Sequence, residues 1–222
     1  MRDTTTNSAA ARERVAALYM ELGRLGMCSA SSGNVSLRHK PGMLITASGV
    51  SAEQTSPETI AAMTLDGEPI AGPKPSSEWH LHAAIHQNVP TATCVVHTHS
   101  DAATALACLN EGLPEFHYML AGFGGAIRCA PYETFGTQAL ADVTIAALKN
   151  RSACLLANHG MVVFAATPQT VLSQAVLLET LCRQYLLARS AGTVRLLTPA
   201  EMRAARDRFK DYGPRKPGRA PQ

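Results

Sequence analysis

Between Ser8 and Gly26 apolar side chains recur at Val15, Leu18, Tyr19, Leu22 and Leu25. This is the spacing that lines one face of a helix, and Gly26 is a natural stop. The period then changes. SGNVSLRH and MLITASG predict two short strands joined at Pro41-Gly42, with Gly33 and Gly49 at their ends. Ser76-Ser77-Glu78 opens the helical run WHLHAAIHQN with a serine as N-cap, and Val89-Pro90 closes it. TCVVHTH is apolar and β-branched, which predicts a buried strand ending in two histidines; Ser100-Asp101 then caps a helix over ATALACL. A helix around residues 137–149 precedes ACLLANHGMVVFAA, a hairpin pattern turning at His159-Gly160. Thr167-Pro168 and Thr198-Pro199 each place an N-cap before a proline at the first helical position, and Glu201 completes a capping box with Thr198. Strands and helices interleave without internal repeat, low-complexity segment or long linker, so a single α/β domain over residues 1–222 is predicted.

Composition narrows the class. With 46% hydrophobic and 17% charged residues, the chain is neither disordered nor collagen-like nor a coiled coil. The apolar stretches at 103–109 and 161–166 are too short to cross a bilayer, so no membrane association is expected. The N-terminus carries charges of both signs and no apolar core of a signal peptide, which predicts a cytoplasmic protein. Six scattered cysteines read as reduced, buried small hydrophobes. The net charge of +3 is uneven: residues 203–222 hold seven Lys/Arg against Asp207 and Asp211, leaving −2 for the remainder. With only 11 aromatics besides, a nucleic-acid face is not expected. The basic tail, residues 211–222, reads as solvated or as a segment folding over an anionic ligand.

Candidate chemistry centres on histidine. Residues two apart on a strand share a face, so His97 and His99 can present both imidazoles to one ion; alternatively they are two hydrogen-bonded histidines in a polar crevice. His159, also at the end of an apolar strand, favours the metal reading, because three neutral imidazoles and an open position are the arrangement of a catalytic Zn²⁺. A rival set lies on one helix face: Glu78, His82 and His86, spaced by four. The glutamate that follows the first histidine in a zincin is missing there, so this face reads as a half-exposed polar one. Glu78, in the first helical turn, gains as an anion from the dipole. Gly33-Asn34, Ser48-Gly49 and Ser76-Ser77 each offer backbone N–H groups or short polar donors to an anion, and each alone is also an ordinary turn or cap. GFGG at 122–125 has no G-K-[ST] after it and reads as a loop. The five lysines sit in turns, helix ends and the tail, which disfavours imine chemistry, and Ser100 lacks a nucleophile-elbow context.

Taken in order, SGNVSLR, MLITASG, KPSSEWHLH, VVHTHS, HYML, RCAPYETFGT, ALKNR, NHG and FKDYG resemble the class II aldolase/adducin family from about Leu22 to Tyr212. The resemblance implies a three-layer α/β/α domain around a largely antiparallel sheet, assembled as a homotetramer with active sites between subunits. It implies one Zn²⁺ per subunit on His97, His99 and His159, with Co²⁺ or Mn²⁺ as other ions such imidazoles accept. Glu78 would be the metal-proximal carboxylate and proton shuttle. Gly33, Asn34, Ser48, Gly49, Ser76 and Ser77 would hold the phosphate of a sugar phosphate. Tyr118 of an adjacent subunit would be the second acid/base group, and Tyr212 in the tail would help close the site. The implied reaction splits a ketose 1-phosphate into dihydroxyacetone phosphate and a small aldehyde. An aldolase for 5-deoxy- or 5-methylthio-ribulose 1-phosphate, a 4-epimerase or dehydratase of the same superfamily, and a non-catalytic adducin-like assembly module are the other readings; Ser77-Glu78-Trp79 departs from the aspartate-bearing motif of the epimerases. Asp101 after HTHS departs from the expected pattern and reads as a capping acid or as a selector of the aldehyde half.

Overall fold

The computed structural model describes residues 4–210, with side chains from Ser8 to Phe209. Tyr212 and the basic tail at 211–222 lie outside the described residues. The strands are β1 (Asn34–His39), β2 (Gly42–Thr46), β3 (Ile60–Met63), β4 (Pro69–Ala71), β5 (Cys94–Thr98), β6 (Cys129–Ala130), β7 (Ala153–Leu156) and β8 (Gly160–Ala165). They form one sheet in the order β4-β3-β2-β1-β5-β8-β7-β6, antiparallel throughout except for the β6–β7 pair. The helices are α1 (Thr4–Arg24), α2 (Trp79–Asn88), α3 (Asp101–Cys108), α4 (Gln138–Ala147), α5 (Pro168–Ala191) and α6 (Pro199–Lys210), with a 3-10 turn at Tyr118–Phe123.

Apart from the exposed edge strand β4, the strands alternate between the two faces, which produces three layers. Val35, Leu37, Leu44, Ile60, Val96, Leu155, Met161 and Val163 face α1, α3 and α5 in the larger core. Their neighbours Ile45, Met63, Val95, Leu156 and Val162 face α2 and α4 across the sheet. A one-residue slip of any strand would exchange the two faces, so burial on both sides fixes register. On β1 the α2-facing positions are polar instead: Asn34, Ser36 and Arg38. Arg38 reaches the carbonyls of His86, Val89 and Ala92, where its guanidinium serves the exposed C-terminal carbonyls of α2.

The fold is the expected three-layer sandwich, and several local expectations are corrected. The first helix spans Thr4–Arg24 rather than Ser8–Gly26, and β3, β4 and β6 are strands that short, weakly patterned segments concealed. Helix α2 has Glu78, not a serine, at its N-cap. Ser76 is tied by its N–H to the Thr46 carbonyl and spends its hydroxyl on the Glu78 N–H. His82 and His86 are fully buried, not half-exposed, because α2 lies flat on the polar face of β1. Of the six free cysteines, Cys94, Cys154 and Cys182 are buried, whereas Cys28 and Cys129 are half-buried and Cys108 is exposed.

Candidate active site

The pairing of β5 with β1 and β8 brings the polar ends of three strands together. Asn34 lies opposite His97, and His97 lies opposite Val162. His97 leaves the last turn of β5 toward the α2 side; its Nδ1–H donates to the Met161 carbonyl at 2.9 Å, which leaves Nε2 free. That Nε2 is 2.9 Å from Nε2 of His99. His159, on the β7–β8 turn, completes the set, and the three rings stand edge to face with all centroids 4.8 Å apart. Gly160 makes this approach feasible, since a Cβ there would lie 2.4 Å from the Thr98 carbonyl and 2.9 Å from the His99 ring.

Glu78 reaches the same point from the start of α2. Its Oε2 is 3.0 Å from His97 Nε2, and its Oε1 is 3.3 Å from His159 Nε2 without a hydrogen bond. One ligand atom from each of Glu78, His97, His99 and His159 lies within 4.8 Å of the others. Nε2 atoms of imidazoles facing one another, beside a buried carboxylate oxygen without a hydrogen-bond partner, fit a divalent cation of the Zn²⁺ type. The electrostatics of the bare cluster are coupled. Burial works to raise the Glu78 pKa, but His97 and His159 outweigh it and hold the carboxyl well below the usual range. Burial likewise opposes a charge on His97, yet Glu78 pushes its pKa up. His99 is pushed down to about 4 by burial and by its two imidazole neighbours.

The strand-to-helix corner carrying His99 is held from another layer. Ser100 occupies the N-cap position of α3 but makes no cap itself; it donates its hydroxyl to Glu179 on α5 at 2.8 Å. The buried Glu179 carboxylate also accepts from the N–H groups of Ala102 and Ala103, both at 2.9 Å. A long-range carboxylate thus does the capping expected of Ser100-Asp101. Asp101 itself is exposed in the first helical turn, where its charge suits the dipole.

The candidate phosphate elements gather at the same end of the sheet. Ala47 bridges Pro75, the Ser48 N–H donates to the Lys74 carbonyl, and Val35 N–H donates to the Thr46 hydroxyl. Ser48-Gly49, Ser76-Ser77 and Gly33-Asn34 are therefore close along the backbone. Gly33 has φ +78°, and a Cβ there would strike the His97 carbonyl at 2.9 Å. Ser48, Gly49 and Ser77 are exposed, while Ser76 is buried. Asn34 is buried too, and its side chain is committed to Glu78 and His82. Tyr118 stands apart: half-exposed on the 3-10 turn, it stacks on His117 and on Phe209 of α6.

A cavity of about 340 Å³ opens onto the cluster, lined by Glu78, His99, Tyr132, Glu133, Phe135, Asn158 and His159. The loop Tyr132–Phe135 and Asn158 enter the cavity wall without residue-level chemistry that marks them in the sequence. The sequence signals for them are the Pro131-to-Gly136 break before α4 and the turn-forming Asn158-His159-Gly160; in the structure Asn158 has a left-handed φ of 53°. A larger depression of about 680 Å³ at the ends of α2 and α4 has no histidine, cysteine or carboxylate on its walls. Chemistry therefore assigns the site to the smaller cavity.

Residues 13–186 match the Class II Aldolase and Adducin N-terminal domain. The chain belongs to this family. Class II aldolases are carbon–carbon lyases that use a metal ion. The chain is 39% identical over 196 residues to the L-fuculose phosphate aldolase of Escherichia coli K12, covering 87% of this chain and 91% of the relative. It is 40% identical over 190 residues to the 5-methylthioribulose-1-phosphate/5-deoxyribulose-1-phosphate aldolase of Rhodospirillum rubrum, covering 85% and 86%. Among solved structures, an L-fuculose 1-phosphate aldolase superposes with a TM-score of 0.87 at 32% identity over 90% of this chain and 96% of that one. No helix among the described residues is long and apolar enough to cross a membrane.

Proposed function

We propose that this protein cleaves a ketose 1-phosphate, of the L-fuculose 1-phosphate kind, into dihydroxyacetone phosphate and a small aldehyde such as L-lactaldehyde. The observation that carries the reading is the convergence of His97, His99, His159 and Glu78 on one point at the floor of a cavity, in a class II aldolase chain. His97, His99 and His159 would hold one Zn²⁺ per subunit. When bound, the ion supplies Lewis-acid stabilisation of negative charge developing on the substrate oxygens.

The chain's own residues do the rest. Gly33, Ser48, Gly49, Ser76 and Ser77 bind the phosphate through backbone N–H groups and hydroxyls, with Asn34 at the edge of that cradle. Tyr118, contributed by a neighbouring subunit of a homotetramer, relays the proton of the C4 hydroxyl through its own hydroxyl to solvent. The C3–C4 bond then breaks, the aldehyde leaves, and the electron pair stays on the three-carbon half as an enediolate. Glu78, a carboxylate in the resting cluster, takes up a proton from solvent and delivers it to that half at C3, which yields dihydroxyacetone phosphate. Tyr132 and Phe135 wall the cavity where the aldehyde half would lie, and Tyr212 would help to close it.

A second reading differs only in that aldehyde half. The relatives named for 5-deoxyribulose 1-phosphate and 5-methylthioribulose 1-phosphate are as similar to this chain as those named for L-fuculose phosphate. Metal-replete protein incubated separately with L-fuculose 1-phosphate and 5-deoxyribulose 1-phosphate, with dihydroxyacetone phosphate release coupled to NADH oxidation, tests both. Turnover of either establishes the aldol cleavage, and the ratio of kcat/KM values identifies the aldehyde. Silence with both, in protein shown to carry metal, would refute the proposal in favour of an epimerase or dehydratase.

A further inference from the structure

A line of buried polar side chains runs from Glu78 and Asn34 back into the protein, and the aldol reading gives its inner members Ser36, His82 and His86 no task. Glu78 Oε2 accepts from Asn34 Nδ2 at 3.1 Å, and Asn34 Oδ1 faces His82 Nε2 at 2.5 Å. His82 Nδ1 is 2.7 Å from Ser36 Oγ, and Ser36 Oγ is 2.8 Å from His86 Nε2. His86 Nδ1 ends the line on the Ala92 carbonyl at 3.1 Å. Asn34, Ser36, His82 and His86 are all at most 4% exposed.

A helix packed on a sheet ordinarily buries an apolar stripe, as Leu81 and Ile85 of α2 do against Val95. Burying imidazoles instead costs solvation: it pushes the pKa of both down, that of His86 to about 4. Aliphatic residues of similar volume would pack here at less cost. What the polar residues provide is a donor at each end of the line: the neutral rings give His86 Nδ1–H to the Ala92 carbonyl and His82 Nε2–H to Asn34, and their two remaining nitrogens share the single hydroxyl proton of Ser36. The line also has a direction. Asn34 Oδ1 only accepts, so His82 Nε2 is the donor, and the amide N–H remains for the Glu78 carboxylate. Turning the amide over would set its oxygen against that carboxylate. His82 thus decides which end of Asn34 meets Glu78, and Ser36 holds His82 and His86 in register.

We propose that Ser36, His82 and His86 are positioning residues that act through Asn34 to hold Glu78 at the angle from which it exchanges a proton with the substrate. This rests on the aldol reading of Glu78 and adds the machinery behind it.

The test uses the full-length, metal-loaded protein and four variants: Ser36→Ala, His82→Gln, their double mutant, and Thr144→Val as a control. Thr144 is a buried hydroxyl on α4 that bonds only within its own helix and is no part of the line. Misplacement of a reacting group appears in kcat rather than KM, so Ser36→Ala should lower kcat about tenfold and His82→Gln about a hundredfold, with KM changed less than about twofold. Metal content should stay at the wild-type level, and the double mutant should be no worse than His82→Gln, since members of one line are not additive. Thr144→Val should keep wild-type kcat even where its Tm falls as far as that of Ser36→Ala. Wild-type kcat in both single variants, multiplicative losses in the double mutant, or loss of metal in step with activity would each overturn the proposal. If the wild type cleaves no ketose phosphate, the aldol reading fails by itself. Crystal structures of wild type and Ser36→Ala then decide the line: a Glu78 carboxylate turned away from Asn34 supports it, and an unmoved one overturns it.

Discussion

Two sets of histidines lie on the same side of the same sheet and have opposite fates. His82 and His86 are spaced by four on a helix, with each ring nitrogen facing a protein group. His97, His99 and His159 come from strand ends, and each leaves a nitrogen for the others and for Glu78. The difference shows that spacing alone does not decide whether imidazoles converge on one point. Both i,i+2 on a strand and i,i+4 on a helix bring two imidazoles to one face. What separates the sets is whether the opposing surface supplies partners, as β1 does for α2 through Asn34 and Ser36, or ends in open space.

The comparison is broken most severely at the cluster. Replacing His99 with alanine should weaken metal binding at least about a thousandfold, because the loss of one of three imidazoles removes a large part of the affinity. Replacing His86 with glutamine should leave it within about threefold, because outer partners act only indirectly. Equilibrium dialysis against a chelator measures both, and equal losses would erase the distinction. Next in size is Glu78→Gln, which should cut kcat by about 10² to 10⁴ with metal retained, the range for loss of a general acid or base. Stopped-flow assay of metal-quantified protein would detect a smaller effect.

The buried set should show itself in stability against pH. The His86 pKa falls on folding from 6.5 to about 4, so between those values the unfolded chain binds a proton that the folded chain does not. Stability contributed by burying neutral His86 is therefore complete above pH 6.5 and declines as pH drops toward 4, by about 3 kcal/mol over the window. Burial shifts His82 in the same direction. Urea unfolding between pH 7.5 and 4.5 should show this decline, and His86→Gln should flatten it; an equal slope in the variant would refute the assignment. The smallest effect concerns Glu179, whose change to glutamine replaces an acceptor of backbone N–H groups and should cost about 1–2 kcal/mol. That corresponds to a fall of about 2–8 °C in Tm. Metal affinity should fall about tenfold with it, since the corner it caps carries His99.

The sequence shows much of this, and the reasons are local. The strand TCVVHTH, the hairpin around His159 and the Thr-Pro caps of α5 and α6 declare themselves through short-range patterning, and they are where the structure has them. Glu78, His97, His99 and His159 could be named from residue type and strand-end position together with the family resemblance. Glu179 could not, because a carboxylate capping a helix from a distant element leaves no local trace. The burial of His82 and His86 was equally hidden: it depends on α2 meeting Asn34 and Ser36, a pairing of surfaces that periodicity does not report. Tyr132, Glu133 and Phe135 become cavity walls only through the path of their loop.

The dispersal of the cluster along the chain also bears on biosynthesis. Glu78, His97 and His99 emerge from the ribosome well before the β7–β8 turn that carries His159, and Glu179 follows later still. A nascent chain can therefore offer an ion only a partial set of ligands until that hairpin has docked between β5 and β6. On the proposed metal reading the ion would be acquired late in maturation, and a chain truncated before His159 would lack one of its three imidazoles.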